Sequence, residues 1–210
     1  MDLNHGVTVM MKFAPEGLPF IVVFAALTLI CAVLLSFVIY FFRDPERVTP
    51  DRPDAFISPA DGRILLVNEG VDVPGFSRPC TQISIFMSPF NVHVNRVPCD
   101  GTVVSVQYTA GRHLAAYRED SPRLNEKNEI VFSTAFGNLL IRQCAGFVAR
   151  RTVCRATPGT HLRQGERFGI IKFSSRVDLY VPSEARVAVR KGDCVLAGET
   201  ILAEMVKVKG

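Results

Sequence analysis

The sequence lacks most of the short signatures that announce an enzyme. Its four histidines, His5, His93, His113 and His161, form no HxH or HExxH set. Its six cysteines, Cys31, Cys80, Cys99, Cys144, Cys154 and Cys194, contain no CxxC pair and no tight disulfide or zinc spacing. Those gaps argue against a metal site and for reduced, mostly buried thiols. GxSxG, GxGxxG and a glycine-rich phosphate loop are also missing, which removes the simplest hydrolase and nucleotide-binding readings. There is no basic run, and the net charge is only +4, so nucleic acid is not an expected partner. A mildly basic face beside anionic lipid accounts for that charge.

What the chain does have is one long apolar run. Leu18 to Phe42 (LPFIVVFAALTLICAVLLSFVIYFF) carries no charged residue. A bilayer core needs about 20 apolar residues as a helix, so the run can cross once and not twice. A cleaved signal peptide would have an apolar region of about 7–15 residues and a small-residue cleavage site. Here the run ends in Phe41-Phe42-Arg43-Asp44. The reading is a retained membrane anchor over 18–42, preceded by a polar head over 1–17. Arg43, Arg47 and Arg52 follow the run and only Lys12 lies close before it, which puts the rest of the chain on the cytoplasmic side of a cell membrane.

Residues 43–54 (RDPERVTPDRPD) read as a charged, proline-rich linker. From Ala55 the pattern changes to short β-branched runs: Arg63–Val67, Gln82–Met87, Thr102–Val106, Glu129–Ser133, Asn138–Arg142, Phe168–Phe173, Val177–Val181 and Ala185–Val189. Their close spacing predicts a mainly β domain over 55–210, a sandwich or a barrel. His113–Asp120 is the single helical candidate. Two pairs of turns echo each other: Asp61-Gly62 with Asp100-Gly101, and Gln164-Gly165-Glu166 with Ala197-Gly198-Glu199. Each reads as a corner where glycine supplies a positive φ. Paired half-motifs fit a barrel–sandwich hybrid, although unrelated turns fit the same residues.

The polar residues that could carry chemistry cluster in three segments: Ser58-Pro59-Ala60-Asp61-Gly62, Asn91-Val92-His93-Val94-Asn95-Arg96, and Phe173-Ser174-Ser175-Arg176. Taken singly, each has an ordinary explanation. Aspartate before glycine is a turn pair, a lone histidine in a strand is commonly structural, and two serines beside an arginine form a polar strand end.

Taken in order, with Phe42-Arg43-Asp44-Pro45 in front, Met87-Ser88-Pro89 leading into the histidine segment, and Lys172 to Asp178 behind, these segments resemble the phosphatidylserine decarboxylase family in its short bacterial form. The resemblance runs from about Phe41 to Glu204. It implies a proenzyme that cuts its own backbone between Ser174 and Ser175, giving a β chain, 1–174, and an α chain, 175–210. Ser175 would attack the Ser174 carbonyl, and elimination would leave a pyruvoyl group as the cofactor, with no metal. That group would form a Schiff base with phosphatidylserine in the membrane and release carbon dioxide and phosphatidylethanolamine. The resemblance makes His93 the base, with Asp61 orienting or charging it. Arg96 and Arg176 are the candidate cations for the headgroup phosphate.

The chain departs from the family pattern at two points. Position 174 is serine where the family usually has glycine, so Ser174 is itself a second candidate nucleophile. His93 also stands without the second histidine of the HxxH arrangement found in longer members. Three rivals therefore stay open. An uncut, inactive relative is one, and a decarboxylase of another phosphoserine lipid is the second. The third is a carrier domain built on the glycine turns of Val189–Met205 with Lys207, though only three residues follow Lys207, too few for a second strand. Self-association of the chain is left open.

Overall fold

The computed structural model describes residues 18–112, 114, 124–146, 151–172 and 175–206. The N-terminal head, His113–Asp120 apart from Leu114, Phe173, Ser174 and Lys207 lie outside the described residues. The chain divides into two compact units, Met1–Phe42 and Arg43–Gly210.

In the first unit, the apolar run forms one helix, α1 (Leu18–Phe41). It has no acidic residue in its first turn and no basic residue in its last. Phe20–Phe41 is long and apolar enough to cross a membrane. Thr28 and Ser36, the polar side chains inside the run, return their hydroxyls to the carbonyls of Phe24 and Ala32, so neither presents an unsatisfied donor to an apolar surrounding.

The second unit is mainly β. Its strands are β1 (Ala55–Ile57), β2 (Gly62–Val71), β3 (Cys80–Met87), β4 (Val94–Arg96), β5 (Gly101–Thr109), β6 (Lys127–Thr134), β7 (Gly137–Ala145), β8 (Thr152–Cys154), β9 (His161–Leu162), β10 (Arg167–Ile171), β11 (Ser175–Pro182), β12 (Ala185–Val187), β13 (Cys194–Val195) and β14 (Ile201–Met205). Eight of them make one curled, half-barrel sheet in the order β13-β2-β3-β11-β7-β6-β5-β9. Two three-stranded sheets, β1-β14-β12 and β4-β10-β8, complete the fold. Each of the eight apolar runs read from the sequence lies on a strand, but β12 falls in the small sheet with β14, not beside β11.

Side-chain alternation explains why β11 can occupy the middle of the large sheet. Val177, Leu179 and Val181 point into the main core with Ile85, Ile141 and Phe132. Arg176, Asp178 and Tyr180 take the opposite face, and they too are buried. A strand covered on both faces needs partners for its polar side chains: Arg176 Nε donates to Asp178 Oδ1 at 2.6 Å and its Nη2 to Ser84 Oγ at 2.8 Å, while Asp178 Oδ2 is left without a hydrogen-bond partner among the described residues. Arg142, across the ladder on β7, donates to Glu129 and to the Tyr180 hydroxyl and lies over the Tyr180 ring.

The echoed turns prove to be a structural pair. Ile57 N–H donates to the Pro98 carbonyl and Arg96 N–H to the Pro59 carbonyl, so the two segments entering β2 and β5 run against each other about a local two-fold. Asp61 Oδ1 accepts from Ala197 N–H at 2.7 Å, and Asp100 Oδ1 accepts from Gln164 N–H at 2.7 Å. Gly165 and Gly198 at these turns have φ of 83° and 80°, as expected. The glycines of the DG pairs serve another purpose. Gly62 begins β2 with ordinary φ, and a Cβ there would run into the Phe86 carbonyl of β3.

The expected linker is also revised. Arg43–Asp54 belongs to the β unit, held there as a strap by ion pairs. Asp44 meets Arg96 at 3.2 Å and Arg167 at 2.6 Å, and Glu46 meets Arg167. Arg47 meets both oxygens of Asp61, at 3.1 and 2.9 Å, and Glu199 at 3.6 Å. Arg47 and Asp61 are both shielded, with 9% and 6% of their side chains exposed. Breaking such a pair from one side strands the other charge. Arg47→Met should therefore destabilise the β unit by about 3 kcal/mol. Adding Asp61→Asn should recover part of that loss in denaturant titrations of the full chain in detergent. Equal midpoints for wild type and Arg47→Met would contradict a buried clamp.

Candidate active site

Ser175 opens β11, and its position follows from two ladders at once. It stands opposite Met87 of β3 and Ala145 of β7, and none of it is exposed. Its Oγ lies 3.3 Å from Met87 Sδ. A thioether is a weak acceptor, so the contact holds the hydroxyl without taking its proton. Asn95 Nδ2 approaches the same sulfur at 4.0 Å and donates to the Pro59 carbonyl at 3.2 Å. Asn95 is thus the point where the three polar segments of the sequence meet: Pro59 from the first, Asn95 from the second, and Ser175 through Met87.

The amide of Asn95 is oriented from behind. Gln143 Nε2 donates to Asn95 Oδ1 at 2.8 Å, and Asn128 Nδ2 donates both to Gln143 Oε1 at 3.3 Å and to Thr152 Oγ1 at 2.9 Å. Thr152 in turn donates its N–H to Glu126 at 3.0 Å. All these side chains are buried, and each polar group that could be stranded is answered. Sequence reasoning overlooked Gln143. Its signal was periodic: Leu139 and Ile141 point inward, so Gln143 occupies an inward slot that an apolar residue would ordinarily fill.

His93 is fully buried two residues before Asn95. Its Nδ1 donates to the Asn91 carbonyl at 2.9 Å, which leaves Nε2 as the basic nitrogen of the neutral ring. Burial pushes its pKa down to about 4, the Arg43 guanidinium pushes the same way, and the Asn91 hydrogen bond opposes them. The ring is therefore neutral at ordinary pH, suited to taking a proton rather than giving one.

The remaining candidates have other partners. Asp61 is engaged by Arg47 and by Ala197 N–H, with no hydrogen bond to His93 among the described residues. Arg96 is buried, donating to the Gly165 carbonyl, to Asp44 and to the Pro45 carbonyl, so it fastens the strap. Arg176 is committed to Asp178 and Ser84 on the far face of the sheet. Both arginines that the sequence reading assigned to the headgroup phosphate are thus buried and engaged within the fold. Ser174 lies outside the described residues. Among the described residues no His, Cys, Asp or Glu side chains gather into a group that could hold a metal ion. Burial pushes the Cys99 thiol up to about 12, and Cys144 is pushed up too, so these buried thiols are protonated.

A mainly β unit that buries a serine at the head of its central strand, behind an apolar N-terminal helix, defines a narrow class. A family model described as phosphatidylserine decarboxylase matches residues 34–203. The chain is 46% identical over 170 residues to a phosphatidylserine decarboxylase proenzyme from Chlorobium chlorochromatii (strain CaD3), covering 81% of this chain and 80% of that one. It is 43% identical over 206 residues to a proenzyme of the same description from Desulfotalea psychrophila (strain LSv54 / DSM 12343), covering 92% and 96%. The corresponding protein of Syntrophus aciditrophicus (strain SB) is 39% identical over 203 residues, covering 90% and 95%. The chain belongs to the phosphatidylserine decarboxylase family.

The depressed histidine has a measurable consequence for stability. An unfolded histidine takes up its proton near about 6.5, whereas His93 in the folded chain does so only near about 4. Between those values the unfolded state binds more protons, so stability should fall as pH is lowered from about 6.5 to about 4. His93→Gln should flatten that slope whatever it does to absolute stability. An unchanged slope in unfolding titrations across this window would show that His93 titrates normally.

Proposed function

We propose that this chain is a membrane-anchored phosphatidylserine decarboxylase that generates its own pyruvoyl group by cutting between Ser174 and Ser175. The observation that carries the reading is Ser175 itself: buried, at the first residue of a central strand, and held by a sulfur rather than by a base. In this reading Ser175 Oγ attacks the Ser174 carbonyl carbon. His93, neutral and with Nε2 as its basic nitrogen, accepts the hydroxyl proton. The nitrogen of residue 175 leaves the Ser174 carbonyl as a free amine, and an ester through Oγ replaces the amide. Loss of the Cα proton of residue 175 then expels the Ser174 carboxylate from its Cβ, and water hydrolyses the resulting dehydroalanine to the pyruvoyl group with release of ammonia.

Residue 175 fits the group it would carry. It is buried, which shields a reactive carbonyl, and its ladder neighbours Met87 and Ala145 carry no nucleophilic side chain. A pyruvoyl carbonyl in that position supplies the electron sink for loss of carbon dioxide from an amino-acid headgroup. In this reading the chain's own part is to orient the headgroup, keep water out and return a proton, the role given to His93. The anchor suits a substrate whose two acyl chains stay in the bilayer, and the arginines after it favour a cytoplasmic site. The released α piece would stay docked, because β11 is bonded on both edges by β3 and β7, β13 pairs with β2, and β14 pairs with β1.

Asp61 is retained as a positioning residue, on a comparison internal to the fold. Asp100 makes the same turn contact from an exposed position, without an arginine. A turn does not need a buried ion pair, so the burial and pairing of Asp61 exceed what its twin requires.

Intact-mass measurement tests the reading directly. The wild type should give two chains, 1–174 and 175–210, the second with no free amine at its start. Ser175→Ala should give one uncut, inactive chain. A single full-length wild-type mass without turnover of phosphatidylserine would leave an inactive relative. A second chain starting at residue 174 would make Ser174 the nucleophile. On the same assay Asp61→Asn should slow cutting by about tenfold or more, the loss of a charge-assisted contact, while Asp100→Asn cuts at the wild-type rate. Equal rates for both variants would reduce Asp61 to a turn residue.

A further inference from the structure

The two arginines that the sequence offered for the headgroup phosphate are consumed inside the fold, so an anionic lipid needs other cations near Ser175. The small sheet β4-β10-β8 supplies two. Strands β8 and β10 pair Gly169 with Cys154, Ile170 with Val153 and Ile171 with Thr152. The next step of that register sets Lys172 opposite Arg151, and Lys172 N–H donates to the Arg151 carbonyl at 3.2 Å. On the other edge of β10, Ile171 N–H donates to the His93 carbonyl at 3.3 Å. One end of this sheet therefore sets Lys172 opposite Arg151, while His93, opposite Ile171, turns its side chain to the other face by alternation. The chain from Lys172 reaches Ser175 within about 11 Å at full extension.

Like charges directly opposed across an antiparallel pair repel. Elsewhere the fold answers its shielded arginines with acids: Arg47 with Asp61, Arg96 with Asp44, Arg142 with Glu129, and Arg176 with Asp178. Among the described residues neither Arg151 nor Lys172 has an ion pair, although Arg151 is exposed and Lys172 half-buried. A cleft of about 570 Å³, lined by Tyr108, Glu126, Arg151 and Thr152, opens beside Arg151. Its one acid, Glu126, already accepts from Thr152 N–H and, at 3.4 Å, from the Thr152 hydroxyl. An anion between the two cations would offset their repulsion.

We propose that Lys172 and Arg151 bind the phosphate of the phosphoserine headgroup and so place its amino-acid end toward residue 175. The identity of the ligand rests on the decarboxylase reading, but the site can be tested without turnover. Full-length Ser175→Ala protein in detergent, warmed with increasing glycerophosphoserine, should show a saturable rise in Tm. Adding Arg151→Glu replaces the repelling pair with an attracting one. That variant should melt higher than its parent without ligand and lose the ligand-dependent rise. A residue serving only the fold would lower the melting point and leave the rise in place.

In the cutting-competent background, Arg151→Gln and Lys172→Gln should each raise KM for phosphatidylserine in mixed micelles on the order of tenfold, the value of one charge-assisted contact. kcat and the two-chain mass pattern should hold. A ligand-dependent rise that survives Arg151→Glu, or an unchanged KM in both single variants, would overturn the proposal while leaving the decarboxylase reading intact. A wild type that turns over no phosphatidylserine would fail that reading instead, and the melting experiment would still report on the anion site.

Discussion

The ladders on either side of β11 are the constraint on which the rest of this structure depends. Because Ser175 is paired with Met87 on one edge and Ala145 on the other, its hydroxyl has one place to go, against the Met87 sulfur. Because successive residues alternate across the sheet, the same strand that puts Ser175 and Val177 toward the core must put Arg176 and Asp178 on the opposite face. The ion pair there is the fold's answer to that necessity. The position of one side chain thus fixes both the candidate site and the buried charge on the far side of the sheet.

Buried charge is handled the same way at the strap. Arg47 and Arg96 sit in the β unit with their acids drawn from, or aimed at, residues 43–61. A segment rich in proline and charge would ordinarily be a solvated connector. Here its charges find partners far away in sequence, and it becomes part of the domain. The local two-fold gives the same region its second fastening, since Asp61 and Asp100 each close one of two matched turns.

Much of the architecture was legible because alternation and turn chemistry are local. β2, β3, β5, β6, β7, β10, β11 and β12 each coincide with a short β-branched run, and the anchor is visible from its length and lack of charge alone. The short strands β4, β8, β9 and β13 were not legible, since two or three residues carry too little periodicity to stand out. The site was legible as a set of segments and not as a set of contacts. Arg96 and Arg176 are conspicuous arginines beside the candidate residues His93 and Ser175, but their partners Asp44, Asp178 and Ser84 are set by tertiary packing that no spacing rule contains. Arg151 and Lys172 become neighbours only when β8 folds back onto β10. Gln143 lies just past the apolar run Asn138–Arg142 and drew no reading, although it stands at the centre of the amide chain.

The placement of β11 also orders events in time. Its neighbours β3 and β7 both precede it in the chain, yet they are not neighbours of each other; β11 joins them. During synthesis the large sheet is therefore split down its middle until β11 has been made. Until then Ser175 has no Met87 to rest on, Asn95 has no sulfur held in place, and the two halves of the sheet cannot close over the core. A backbone cut made before that moment would release a fragment with nothing to hold it. By making Ser175 the first residue of the strand that closes the sheet, the topology ties the burial of the candidate site to the joining of the sheet's two halves.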